Sequence, residues 1–284
     1  MKIKIIYCVL LAAILAASMS SCKSCGGPEE EKSVNKKQPL NVSIFLDLSH
    51  RIVEESDGMK GVEKDTEIVA VITDYLSSKA FNDKIKFNKD HIKVFFHPTP
   101  VNPQINQLAK GLEVDFAQYG KKQIQQKQAD AKNLTKNFND NLKSIYDAAV
   151  ADGKYIGSDI WGFFDTQVNK VCVREGYRNV LIVITDGYIY HEDNLVEDKA
   201  KKQSSFITKR SLAEGYSLLP VGGQINGLEV LVLELKADPR TDFGKMKSTI
   251  EQWLDTIGVS RHEVLKTALP STTKKPIEDF LNGN

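Results

Sequence analysis

The sequence has almost no net charge: 38 lysines and arginines stand against 37 acidic residues, leaving +1 at neutral pH. No global field therefore favours nucleic acid or an acidic surface as the partner. Cysteine is scarce, with 4 in the chain, and Cys172 lies in Val-Cys-Val, where it reads as a small buried hydrophobe; no disulfide framework holds this fold. Cys22 and Cys25 have a C-x-x-C spacing, but no second ligand pair follows and no strand precedes them, which argues against zinc or redox chemistry. Also missing are G-x-x-x-x-G-K, a G-x-G-x-x-G after a strand, H-E-x-x-H and any internal repeat. What remains is a chain of 284 residues, 41% hydrophobic, long enough for one large domain with a substantial core.

The N-terminus is more informative. Lys2 and Lys4 precede an apolar run from Ile5 to Ala17, too short to span a bilayer stably, and small residues lead from it to Cys22. This is the pattern of a secretory signal, and it belongs outside the fold. Met-Ser-Ser-Cys, ending at Cys22, resembles a bacterial lipobox. That resemblance implies a signal peptide over residues 1–21, lipidation of Cys22 and a membrane anchor in the cell envelope, with the outer membrane as the expected location. Residues 22–39 combine Gly-Gly-Pro with glutamates and lysines and read as a solvated tether. Acidic residues at that point resemble surface-export signals of some lipoproteins, and a plain linker accounts for them equally, so either face of the membrane is compatible.

From residue 40 onward strands and helices alternate, so 40–284 reads as a single domain of α/β class. The expected architecture is a Rossmann-like, doubly wound, mostly parallel sheet flanked by helices. Val42 to Leu46 is an apolar strand cut off by Asp47. A polar loop follows, then Asp65 as an expected N-cap and Ile68, Val69, Ile72, Tyr75 and Leu76 at helical spacing. A second strand runs from about His91 to Phe96. Residues 102–133 show no strand signal and read as a polar helical insertion, before an amphipathic helix marked by Leu134, Phe138, Leu142, Ile145 and Ala149. A helix carrying Ile160, Phe163, Phe164 and Val168 comes next, with Ser158 or Asp159 as its N-cap. Asn179 to Thr185 is apolar at every inner position, as strands buried on both faces are, and ends in Thr185-Asp186-Gly187. Further expectations are a polar helix over about 193–213, a strand from Leu228 to Leu235, a helix through Phe243 and Ile257, a strand near Val264 to Leu269, and a short helix starting near Pro276.

Three loops carry oxygen-bearing side chains: Asp47 and Ser49 after the first strand, Ser158 before a helix, and Asp186 after the central strand. Small hard cations take such oxygen ligands, carboxylates supplying charge and hydroxyls moderating it. Asp-Leu-Ser-His-Arg at 47–51, Gly-Ser-Asp-Ile at 157–160 and Val-Ile-Thr-Asp-Gly at 183–187 together resemble the von Willebrand factor type A domain with its metal-ion-dependent adhesion site. The resemblance implies a binding module, not an enzyme, that recognises a protein partner. It also implies that Asp47, Ser49, Ser158 and Asp186 form a shell for Mg2+ or a similar divalent cation.

Arg51 departs from the pattern. It stands where the family places a second serine ligand and brings a charge that cannot be titrated away. Two outcomes are open: an altered cation site, or a cation-free one in which Arg51 pairs with Asp47 or Asp186 and the protein is a structural or assembly lipoprotein. An enzymatic alternative is a magnesium-dependent phosphotransferase with Asp47 as nucleophile. That chemistry wants a second Asp two residues on, where this chain has Ser49. His191-Glu192-Asp193 is a candidate rim contact. His50, His97, Trp161 and Trp253 read as local structure or core.

Overall fold

Seven residues, Leu40–Leu46, form strand β1, and all seven are buried because the strand lies mid-sheet with helices over both faces. The computed structural model describes residues 38–153, 157–187, 224–236 and 242–284. Within Gln38–Asn284, a compact unit, the six-stranded sheet has the order β5-β4-β1-β6-β7-β8. Its members are β1, β4 (His91–Phe95), β5 (Glu113–Asp115), β6 (Arg178–Ile184), β7 (Leu228–Leu235) and β8 (Arg261–Lys266); β2 (Glu55–Ser56) and β3 (Met59–Lys60) make a separate small hairpin. Every pairing in the main sheet is parallel except β4 with β5. This is a Rossmann-like α/β arrangement, as the alternation of elements predicts.

The period-two alternation of the strands sorts their side chains into two layers. On one face Val42, Ile44 and Leu46 of β1 join Val180, Ile182 and Ile184 of β6. They pack beneath α1 (Gly61–Asn82), α4 (Leu134–Asp152) and α8 (Pro270–Asn282). On the other face Phe45, Leu181, Val183, Val230 and Val232 meet α5 (Ile160–Thr166) and α7 (Phe243–Thr256), where Phe163, Phe164, Met246, Trp253 and Leu254 are buried. Cys172, just after α6 (Val168–Val171), is fully buried in this second layer, and burial pushes its thiol pKa up to about 12.

Several expectations shift. The 102–133 region contains α2 (Pro103–Ala109) and α3 (Ile124–Lys132), but between them β5 joins the sheet edge antiparallel to β4. Three residues are too few for a period-two pattern to register, so the strand left no trace in the sequence. The last helix begins at Pro270, whose fixed φ suits a first turn, and Pro276 falls inside it. Ile277, Phe280 and Leu281 bury the face that holds this helix in place. Strand β8 starts at Arg261, earlier than its apolar residues indicate. Asp65 is not an N-cap: α1 begins at Gly61, with Glu63 accepting from the Lys60 N–H at 2.9 Å. The expected helix over 193–213, the signal segment and the tether up to residue 37 lie outside the described residues.

Candidate functional site: a crevice closed by arginine

Strand connections leave β1 toward β4 on one side, while β6 on the other side leads to β7 and β8. The carboxyl ends of β1 and β6 therefore form the switch point at which open α/β sheets place their sites. Asp47 emerges there, its N–H bonded to the Ile184 carbonyl at 3.2 Å. Its side chain is fully buried. One carboxylate oxygen, Oδ1, accepts from the Ser49 N–H at 2.8 Å, and Oδ2 accepts from the Thr185 hydroxyl at 3.0 Å. The apolar runs end where they do because the chain must supply these polar groups to one another.

Arg51 lies in a short 3-10 turn, His50–Val53, directly after this loop. Its guanidinium points inward, with 7% of the residue exposed. Nη2 donates to Asp65 Oδ2 at 2.7 Å and to the Ile184 carbonyl at 3.3 Å, while Nε lies 3.7 Å from Asp47 Oδ2. Tyr146, from α4, donates its hydroxyl to the same Asp65 oxygen at 2.7 Å. Burial works against the charge on Arg51, but Asp65 and Asp47 outweigh it and hold the guanidinium pKa above its ordinary value. Burial raises the Asp65 carboxyl above the usual carboxylate range, with Arg51 and Tyr146 pulling it back. Burial, followed by the Asp65 charge, lifts the Tyr146 phenol well above its ordinary value. At 2.7 Å from a guanidinium that never loses its proton, Asp65 is half of a buried ion pair.

No motif in the sequence marks Asp65, expected only as an N-cap, or Tyr146 as a site residue. Their signal was positional: Asp65 precedes Ile68, Val69 and Ile72 on the buried stripe of α1, and Tyr146 sits beside Ile145 on that of α4. A carboxylate on an apolar helix face needs a buried partner.

The remaining predicted residues are distributed around this centre. Ser49 is half-buried and bonds Asp47 through its backbone; Ser158 is buried. Asp186 is half-buried, its carbonyl accepting from the Lys236 N–H at 3.1 Å. Gly187 adopts φ +98, and a Cβ there would run into Leu235, which is why the Thr-Asp-Gly turn ends in glycine. Asp159 caps α5, accepting from the Gly162 N–H at 2.7 Å. His191, Glu192 and Asp193 fall outside the described residues, as does Cys22.

As arranged, these residues do not fit a divalent cation beside Arg51. Both oxygens of Asp47 already have protein donors, and the guanidinium already supplies the positive charge. At roughly 4 Å, like charges repel by about 4 kcal/mol even at an effective dielectric constant near 20.

Beside the crevice, between the ends of β1 and β4, is a cavity of about 480 Å³. Leu46, Leu48, Phe96, Val101, Ala149 and Ser158 contribute to its wall. Its size and mostly apolar lining, with His97, Thr99, Asn102 and Asp152 also in the wall, suit a small molecule or an inserted side chain.

Fold and site together define a Rossmann-like α/β domain whose switch-point crevice is closed by a buried arginine. No protein-family model matches the chain, and no curated protein matches it. Among solved structures, the chain is similar to the pilus adhesin SpaC from Lactobacillus rhamnosus GG, with a TM-score of 0.41 and 12% identity. The match covers 88% of this chain and 30% of the adhesin, so the chain spans less than a third of that protein's length. A likeness at this level assigns neither family nor role. Among the described residues no helix is long and apolar enough to cross a membrane.

Proposed function

We propose that the chain is a non-catalytic binding module resembling the von Willebrand factor type A domain. In this reading it is anchored in the envelope through Cys22, and Arg51 takes the place of the divalent cation. The observation that carries this is the buried guanidinium at the switch point, 2.7 Å from Asp65 and 3.7 Å from Asp47. With that position taken, a protein partner is recognised through the adjacent apolar cavity and not through a bridging metal. Asp47 serves the turn that positions Arg51, and no nucleophilic role is assigned to it. A Mg2+-bearing version built on Asp47, Ser49, Ser158 and Asp186 would require the guanidinium to leave the crevice.

Titration calorimetry and thermal unfolding with millimolar Mg2+ or Mn2+ test the cation-free reading. The wild-type protein should show no saturable binding and no metal-dependent shift, whereas Arg51→Ser should gain both. Saturable binding by the wild type that Asp47→Ala abolishes would reverse the assignment. The recognition half is tested by pull-down from envelope extracts with Val101→Glu, a change at a cavity residue that is 80% exposed. A partner captured by wild type and lost with this variant supports it; identical capture profiles sink it.

A further inference from the structure

The opposite end of the sheet carries a surface that neither the crevice nor the core explains. The last turn of α1 and the segment after it place Phe81 and Phe87 in solvent, 45% and 63% exposed, although phenylalanine is ordinarily a core residue. Between and beside them Lys84, Lys86 and Lys89 are exposed. The Lys86 ammonium sits over the Phe87 ring, 4.6 Å from its centroid. Two acids share the segment. Asp90 is buried, accepting from the Leu40 N–H and from Lys79, and Asp83 is paired with Lys79 at 2.7 Å. Asp83 is itself half-exposed, so the exposed charge of the segment is net basic, three lysines against one carboxylate. Ile85 pins it from below, packing with Phe116 and Ala131 in a cluster that Tyr119 and Ile124 flank. Lys121 and Lys122 are exposed in the turn between these last two residues.

Exposed aromatic rings interleaved with lysines are the composition that settles at a bilayer interface. Rings enter the headgroup boundary, and each lysine near an anionic surface contributes about 1 kcal/mol, roughly a fivefold gain in partition. The position of this surface selects the same occupant. Leu40 opens β1, its N–H bonded to Asp90 at 2.7 Å, so the chain preceding the domain enters beside this segment. We propose that the Phe81–Lys89 surface, with Lys121 and Lys122, is a docking face for anionic phospholipid headgroups. It rests on the lipid-anchor reading above, and it deepens that reading by fixing orientation. The amino end of the strands lies on the membrane, and the crevice with its cavity faces away. Seven residues of β1 at about 3.3 Å each put the crevice roughly 20 Å or more above the lipid.

The test uses the compact unit Gln38–Asn284, which contains every described element and lacks Cys22. Its co-sedimentation is measured with vesicles of phosphatidylcholine alone and of equal parts phosphatidylcholine and phosphatidylglycerol. Binding should favour the anionic vesicles and weaken as salt is raised. A Lys84→Glu/Lys86→Glu variant should bind at least tenfold more weakly. Phe87→Ser should lose binding at both low and high salt, and Val101→Ser, at the other end of the sheet, should bind as wild type does. Circular dichroism confirms that each variant is folded. Equal partition into both vesicle types, or anionic binding unchanged by the segment variants, would overturn the proposal. Because the unit carries no anchor, that failure leaves lipidation untouched, and the mass of the N-terminal peptide from envelope-extracted full chain reports on lipidation separately.

Discussion

Arg51 brings a permanent charge into a site with 7% of its surface exposed, and only its partners make that tolerable. Burial of an isolated guanidinium would cost several kcal/mol; here a carboxylate 2.7 Å away, a second at 3.7 Å and a carbonyl compensate. Removing one partner leaves the others uncompensated. Arg51→Met should therefore destabilise the fold by about 3–5 kcal/mol, with Asp65 and Asp47 both losing their counter-charge. The double change Arg51→Met/Asp65→Asn should cost less than the sum of the singles. Tyr146→Phe keeps the ring but removes one donor from Asp65, whose other oxygen, Oδ1, has no hydrogen-bond partner among the described residues. A loss of about 1–3 kcal/mol is expected. Urea denaturation measures these variants and Asp65→Asn alone, and additive costs in the double variant would show that Arg51 and Asp65 act separately. At this scale the sequence was half legible. Asp47, Ser49 and Arg51 are neighbours in the chain and announce themselves, while Asp65 and Tyr146 come from helices whose faces meet only after folding.

At the scale of elements, the turn that carries Arg51 is set by its contact with the start of α1. Gly61 opens that helix, donating its N–H to the Glu54 carbonyl at 3.0 Å. A Cβ at Gly61 would lie 2.5 Å from the Arg51 carbonyl and 3.0 Å from Ile52 Cα, both backbone atoms that have nowhere to yield. Gly61→Ala should push the turn away from the helix and cost about 1–3 kcal/mol, readable as a lowered urea midpoint. An unchanged midpoint would mean that the turn is loosely held. Strand β7 has its own irregularity: Glu234 takes φ +67 at a register shift between Val232 and Leu235. Its carboxylate accepts from Thr267 at 2.7 Å and lies 3.6 Å from Lys64, the neighbour of Asp65. Long periodic elements such as α4, α7, β6 and β7 were readable from the sequence. The three-residue β5 and the true starts of β8 and α8 were not, because short or polar segments are placed by their neighbours and not by their own pattern.

For the whole molecule, two carboxyls at the β5 edge of the sheet, Glu113 and Asp115, are held below their ordinary values. Burial pushes the Glu113 carboxyl up, but Lys93 and His91 outweigh it and hold its pKa below 4.5. Burial likewise opposes Asp115, where Arg174 at 2.8 Å and the Ala117 N–H prevail and hold it below 3.8. A carboxyl depressed in the folded state stabilises the fold above its unfolded pKa, and that contribution disappears as pH falls through the folded value. Stability should therefore decline below about pH 4, and Glu113→Gln with Asp115→Asn should flatten that decline in urea midpoints taken across pH. A decline as steep as in wild type would place the acid sensitivity elsewhere.

The sequence by itself determined the alternation of strands and helices, the buried central strands and the residues at which β1 and β6 turn polar, because all of these are written in local periodicity. It also supplied the motifs that point to a cation-type site and the arginine that disturbs it. Only the tertiary structure decided what the arginine does. Its principal partner, Asp65, is on a different element, and the hydroxyl that completes the pair comes from Tyr146, 81 residues beyond that carboxylate. Which buried groups meet depends on how the helices pack over the sheet, and that is decided by the sum of the core's contacts, not by any one segment.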